Sequence, residues 1–190
     1  MEKLRLILFL GLVFHKFLWE VLKRRYPRPE LRQEIRKKPL KRIIKTAKVV
    51  VLICLLIQTL FLDVFPITNP ATFLRPLGTA IYFFGLALAV TGRLQIGRNW
   101  VDLEDYQLFP DQTLVTTGIY RYIRHAIYAG DLLLIAGLEL ALQSWLVFGT
   151  VLLIPFLLRQ ANAEEALLAR AFPEYDAYRA RTKRFIPFIL

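Results

Sequence analysis

The sequence predicts an all-α integral membrane protein of about five transmembrane helices with a cytoplasmic C-terminal tail. Three observations carry that expectation. Of 190 residues 56% are hydrophobic, above the roughly 45–50% of an ordinary soluble domain, and the mean hydropathy is +0.42. The apolar residues gather into runs long enough for the ~30 Å hydrocarbon core of a bilayer, which takes about 20 residues of helix. The cations behind the formal charge of +11 lie between those runs. A nucleic-acid-binding domain would spread them over one folded soluble face, so no nucleic acid is expected; cations at the ends of apolar runs suit anionic lipid headgroups.

The first run, Leu4–Leu22, is interrupted by His15, Lys16 and Glu20. A charge at mid-membrane costs about 2.5–3.5 kcal/mol, which favours a tilted or half-embedded helix. No small-x-small cleavage site follows, so a retained helix is expected rather than a signal peptide. The second and third runs are Ile43–Leu62 and Pro76–Ile96. The apolar stretch Ala126–Leu158 is too long for one span and is broken at Gln143-Ser144, which predicts a hairpin of fourth and fifth helices. Between the first two runs lies the loop Lys23–Arg42, with Arg24, Arg25, Arg28, Arg32, Arg36, Lys37, Lys38 and Lys41 against Glu30 and Glu34. The excess of positive charge places this loop in the cytoplasm, against anionic headgroups. Counting onward, Asp63–Arg75 and Gln143-Ser144 fall outside, while Arg93–His125 and all that follows Arg159 fall inside. The expected orientation is N-out, C-in. One domain is expected over 1–190, its N-terminal spans and basic loop in 1–92 and its chemistry in 93–190. Cys54, within an apolar run, is expected to be a small buried hydrophobe, and a single cysteine allows no disulfide within the chain. His15 and His125 are far apart with no Cys/His cluster, so no metal is expected.

Two polar segments are not required for spanning a membrane. The first runs Leu114-Val115-Thr116-Thr117-Gly118-Ile119-Tyr120-Arg121-Tyr122-Ile123-Arg124-His125-Ala126-Ile127-Tyr128-Ala129-Gly130. Where it opens the fourth helix, unpaired backbone N–H groups suit a carboxylate, and His125 and Tyr128, three apart, share a helix face. The second is Glu164-Glu165-Ala166-Leu167-Leu168, then Phe172-Pro173-Glu174-Tyr175-Asp176-Ala177-Tyr178 and Arg184-Phe185-Ile186-Pro187. Adjacent helical residues point about 100° apart, so Glu164 and Glu165 are expected not to aim at one point, and one of them to be functional. The plainer alternatives are an interfacial belt for the tyrosines and arginines and a solvated helix face for the glutamates. Asp131 and Glu139, costly inside the fourth span, pair with a cation or line a cavity.

Together these segments resemble the signatures of the isoprenylcysteine carboxyl methyltransferase family, related to the phospholipid methyltransferases. The first is similar to its "L-V-T-x-G" turn, Tyr, and "R-H-P-x-Y-x-G", with Ala126 in place of proline. The second resembles "E-E-x-x-L", "F-G-x-x-Y-x-x-Y" and "R-x-x-P", with Pro173 in place of glycine. The resemblance covers about Arg93 to the C-terminus. It implies a membrane methyltransferase that uses S-adenosylmethionine, with a cofactor pocket lined by Thr113, Leu114, Val115, Tyr120, His125, Ala126, Ile127 and Tyr128. Glu164 would bind the cofactor and act in catalysis. The family tends to carry an Arg one turn before that glutamate. Here the position is Gln160 with Arg159 beside it, so either Arg159 reaches in as the second catalytic residue or the acceptor is not a prenylcysteine carboxylate. A prenylated cysteine, a phospholipid amine and a small thiol all stay open as the lipophilic acceptor. Two other readings stand beside this one. Arg124–Asp131 also resembles an "R-H-x-x-Y-x-G-D" motif of NADPH-dependent sterol-type reductases, and a non-catalytic scaffold or lipid-binding protein would bind neither cofactor.

Overall fold

The computed structural model describes residues 2–26, 39–101 and 108–185, and of Leu40 and Lys41 the backbone alone. Residues 27–38 of the basic loop, together with Ile186, Pro187 and Leu190, lie outside the described residues. The fold is built from α1 (Glu2–Arg25), α2 (Pro39–Phe61), α3 (Leu74–Ile96), α4 (Ala126–Ala141), α5 (Leu153–Ala171) and α6 (Tyr175–Arg181), with short 3-10 turns between them. The described residues fall into two compact units, one holding α1 and α2 up to Val64 and the other beginning at Phe65.

In the first unit α1 carries Glu2 in its first turn and Lys23, Arg24 and Arg25 in its last, charges that complement the helix dipole. Leu8, Gly11 and Leu12 form its buried stripe. Arg5 reaches the end of α2, where it donates to the carbonyls of Gln58 (3.3 Å), Thr59 (3.4 Å) and Leu62 (3.3 Å) and pairs with Asp63. One guanidinium thus satisfies several carbonyls that a helix C-terminus leaves open. Cys54 corrects the expectation made for it, being exposed. The exposed surface of α2 is itself largely apolar, with Val49, Val50, Val51, Ile53 and Ile57 all exposed, so an apolar neighbourhood in the sequence does not imply burial.

The second unit is organised by α3 against α4. Their backbones approach at glycines: a methyl group on Gly85 would collide with the backbone of Leu134 and Gly130, and one on Gly137 with the backbone of Tyr82. The expected break at Gln143-Ser144 is present. Gln143 adopts φ +56°, and the Ser144 hydroxyl caps the next turn by accepting from the Leu146 N–H at 3.1 Å. The break is pinned from outside by Ile67 N–H donating to Gln143 O (2.7 Å), Trp145 N–H to Phe65 O (2.9 Å) and Arg75 Nη2 to Gln143 Oε1 (2.6 Å). Beyond it the chain runs as a 3-10 helix over Trp145–Leu152 before entering α5.

Among the described residues three helical stretches are long and apolar enough to cross a membrane, Arg42–Phe61, Leu74–Asn99 and Trp145–Ala171. The five expected helical segments all form. Two of them, α1 with its internal charges and α4, are not among the three. At 16 residues, α4 rises about 24 Å at 1.5 Å per residue, short of the ~30 Å core.

Candidate functional site

The polar residues of the second unit converge where α4 begins. Upstream, the end of α3 holds the loop that carries Thr113–Val115. Asn99 accepts from the Thr113 N–H at 2.8 Å, with its Nδ2 3.1 Å from Thr113 Oγ1, and Arg98 pairs with Asp111. Gln95 Oε1 accepts from the Ile119 N–H at 2.6 Å. The Gln95 amide occupies the space a side chain at 118 would fill, and Gly118 has φ +62°, so both conformation and space call for glycine there. Val115 and Ile119 then pack against Tyr120, Ile123 and Ala126.

The C-terminal tail closes the site from the other direction. Ile123 and Lys183 form an isolated parallel bridge, in which Lys183 N–H donates to Tyr122 O (2.9 Å), Arg124 N–H to Lys183 O (2.9 Å) and His125 N–H to Arg184 O (3.0 Å). The Tyr178 hydroxyl donates to Tyr120 O at 2.8 Å and the Tyr120 hydroxyl to Gly92 O at 3.2 Å. Burial pushes the Tyr178 phenol up to about 12, and it raises those of Tyr120 and Tyr175 too, helped by the negative charges of Glu164 and Glu165 respectively. The Tyr175 hydroxyl is buried with no hydrogen-bond partner among the described residues.

At the centre is the ring of His125, the residue before the first turn of α4. Its side chain does not cap the helix and instead meets α5. Nε2 lies 3.0 Å from Glu165 Oε1, and Nδ1 lies 3.7 Å from Glu164 Oε2. The Tyr128 hydroxyl donates to the same Glu164 oxygen at 2.9 Å, and the Tyr128 ring stacks on His125 at 5.2 Å between centroids, 6° from parallel. Phe185 packs on the ring at 5.6 Å. Glu165 is enclosed by cations: Oε1 accepts from Arg124 Nε (3.0 Å) and Arg184 Nε (3.1 Å), and Oε2 from Arg184 Nη2 (3.0 Å).

The structure therefore brings His125, Tyr128 and Glu164 together. The two glutamates differ from the expectation of divergence, for both reach the one imidazole. A ring with nitrogens on two edges takes side chains that leave their helix 100° apart, and a glutamate is long enough to bend toward it. Tyr120, Ala126 and Ile127 are buried in the packing beneath, and Thr113 is held by Asn99. Arg159 is not brought in: it is exposed on α5, and five residues place it about 140° around the helix from Glu164. Glu165, Arg124 and Arg184 lie in the motifs that the sequence analysis quoted, but it gave none of them a role in the site. The signal available was the pairing of Arg124 beside His125 with two glutamates in tandem, a charge balance that spacing alone does not reveal. No group of three or more His, Cys, Asp or Glu placed to hold a metal occurs among the described residues.

Apolar helices long enough to span a bilayer, with a cluster of His, Tyr and Glu at the start of a buried helix, define a class: an integral membrane protein whose polar chemistry is held by helix ends. The chain belongs to the phospholipid methyltransferase family, whose sequence model matches residues 74–175. It is similar to the cobalt-zinc-cadmium resistance protein CzcN of Cupriavidus metallidurans, 36% identical over 61% of this chain and 52% of that protein. It is 31% identical to the protein-S-isoprenylcysteine O-methyltransferase of Schizosaccharomyces pombe, over 55% of this chain and 46% of that enzyme. Among solved structures it resembles the eukaryotic intramembrane Ras methyltransferase, isoprenylcysteine carboxyl methyltransferase. There the TM-score is 0.56 at 28% identity, over 62% of this chain and 43% of that one. The chain spans about half the length of most of the curated relatives it matches.

Proposed function

We propose that this chain is a membrane methyltransferase that uses S-adenosylmethionine to methylate a lipophilic acceptor. The observation that carries the reading is the junction of α4 and α5, where the Tyr128 hydroxyl fixes one oxygen of Glu164 while Oε1 takes no hydrogen bond among the described residues. The residues present fit the cofactor by the chemistry of their donor set. A carboxylate with a free oxygen accepts from the methionine ammonium, and the first turn of α4, at Ala126, Ile127 and Tyr128, offers backbone N–H groups to the methionine carboxylate. The loop Thr113–Val115, set by Asn99 and Gln95, borders the same helix start. When bound, the cofactor supplies an electrophilic methyl group on a sulfonium. The chain's own contribution is alignment: reacting atoms held about 3–3.5 Å apart lower the barrier by up to ~7–11 kcal/mol, and before any ligand arrives Tyr128 holds Glu164 by a hydrogen bond while His125 is held by Glu165 and by the stacked Tyr128 ring. Acceptors dissolved in the bilayer reach the helices laterally, and a prenylcysteine carboxylate, a phospholipid amine and a lipid-soluble thiol are the candidate classes. The orientation that goes with this reading puts the N-terminus outside and the C-terminal tail in the cytoplasm.

The deciding experiment titrates detergent-solubilised protein with S-adenosylmethionine, S-adenosylhomocysteine and NADPH. Binding of the two adenosyl ligands without NADPH is the expected result. Binding of NADPH instead would make the protein a reductase, and binding of none would make it a scaffold. Incorporation of a labelled methyl group into extracted lipids, proteins and volatiles then identifies the acceptor.

A further inference from the structure

Glu165 is the buried carboxylate for which the proposed ligand has no use, and its surroundings assign it a task. Its side chain is 4% exposed, and it receives Nε–H and Nη2–H of Arg184, Nε–H of Arg124 and the Nε2 edge of His125. A carboxylate offers acceptors alone, so the proton of that last bond must sit on Nε2. Two guanidinium groups already balance the charge of Glu165, so nothing on this side calls for a positive imidazole. With the proton on Nε2, Nδ1 carries a lone pair.

That lone pair faces the second glutamate. Nδ1 and Glu164 Oε2 stand 3.7 Å apart, beyond hydrogen-bond reach, and Oε2 already accepts from Tyr128. A nitrogen acceptor and a carboxylate therefore stand side by side, on an imidazole that stacks on Tyr128 and touches Phe185. The partner this arrangement calls for is a cation with several donors and no acceptor, and a primary ammonium has three N–H bonds to place.

We propose that Glu165 is a positioning residue, fixing His125 as the Nε2–H tautomer so that Nδ1 and Glu164 together accept the primary ammonium group of the ligand. This rests on the reading that the pocket binds S-adenosylmethionine, whose amino-acid end carries such a group, and it extends the pocket to a residue that touches no ligand. Were Nδ1 protonated, the imidazole would repel the ammonium it is placed to receive.

The chain has two histidines, which makes the tautomer directly observable. In full-length protein nitrogen-labelled at histidine, with His15→Gln to assign the signals, His125 is expected to show the separated shifts of a ring that carries its proton on Nε2 and a lone pair on Nδ1. A proton on Nδ1, or on both nitrogens, overturns the proposal. The second readout compares S-adenosylhomocysteine, which keeps the ammonium, with methylthioadenosine, which lacks the amino-acid end. In Glu165→Ala the affinity for the first is expected to fall about tenfold, equivalent to ~1.4 kcal/mol, and the affinity for the second to hold. Equal losses for the two ligands would show a merely structural role and overturn the assignment. The wild-type spectrum decides the tautomer even if the variant does not fold. If neither ligand binds the wild-type protein, the cofactor reading fails on its own, while the spectrum still tests the Glu165–His125 pair.

Discussion

At the scale of single residues, the site is a set of side chains each restrained by a neighbour, and their contributions separate by substitution. Tyr128→Phe keeps the ring that stacks on His125 and removes the donor to Glu164. A hydrogen bond to a charged group contributes about 1.5–3 kcal/mol, so S-adenosylhomocysteine affinity is expected to drop by roughly tenfold or more, read by calorimetric titration; an unchanged affinity would remove Tyr128 from the pocket. His125→Ala and Glu164→Ala should fall at least as far. Arg159→Ala is expected to leave cofactor affinity within about twofold, because an exposed substitution away from packed features stays within ±0.5 kcal/mol. If Arg159 nonetheless serves a carboxylate acceptor, the effect appears in KM for that acceptor alone. That His125, Tyr128 and Glu164 come together was legible in the sequence: His125 and Tyr128 by their three-residue spacing and a motif, Glu164 by the family resemblance alone. Glu165 was not, since a helical wheel treats side chains as radial spokes and ignores that a long one bends toward a ring with two reactive edges.

The elements that hold these residues are legible to different degrees, and for a physical reason. Apolar runs and the turn at Gln143-Ser144 follow from local composition, and α2, α3 and the break before α5 appear where expected. The clip between Ile123 and Lys183 joins segments 60 residues apart through backbone groups alone, and backbone pairing of that kind leaves no trace in residue identity. The contact of α3 with α4 depends on missing side chains. Gly85→Leu would force the helices apart, and overpacking of a close contact costs typically ~1–3 kcal/mol; the midpoint of thermal unfolding in detergent should fall, and cofactor binding with it. The tail that carries α6 should respond to alkali. The Tyr178 phenol, hydrogen-bonded to Tyr120 O, is pushed up to about 12 by burial from an ordinary value near 10. A group whose folded pKa is raised contributes its full stabilisation below the unfolded value and loses it as pH rises toward the folded one. Tail stability is therefore expected to be flat up to about pH 10 and to decline from there toward 12, with Tyr178→Phe flattening that decline in a pH series of unfolding midpoints.

For the whole molecule, the open quantity is which way the chain threads the bilayer, and the distribution of charge makes a definite statement about it. Composition already pointed to a membrane, and the exposed Leu, Ile, Val and Phe along α1, α2 and α5 agree with it. The number of full crossings was less legible, because α1 mixes His15, Lys16 and Glu20 into an apolar run and α4 ends after 16 residues, just before the break at Gln143-Ser144. Lys and Arg are retained preferentially on the cytoplasmic side, and they concentrate in the loop between α1 and α2 and in the tail after Arg159, which are separated by an even number of crossings if α2 to α5 all traverse the membrane. Both are therefore expected on the cytoplasmic face. The test starts from a Cys54→Ser background, because the native thiol is exposed on α2, and adds Arg28→Cys or Leu190→Cys for labelling with a membrane-impermeant reagent in sealed vesicles of known sidedness. Labelling of both from the cytoplasmic side supports an even number of crossings after the basic loop, as four traversing helices require. Labelling from opposite faces would mean that an odd number of these helices cross, with the short α4 the first candidate to dip in and return, and the His125 cluster would then need a different route to the water-soluble cofactor proposed for it.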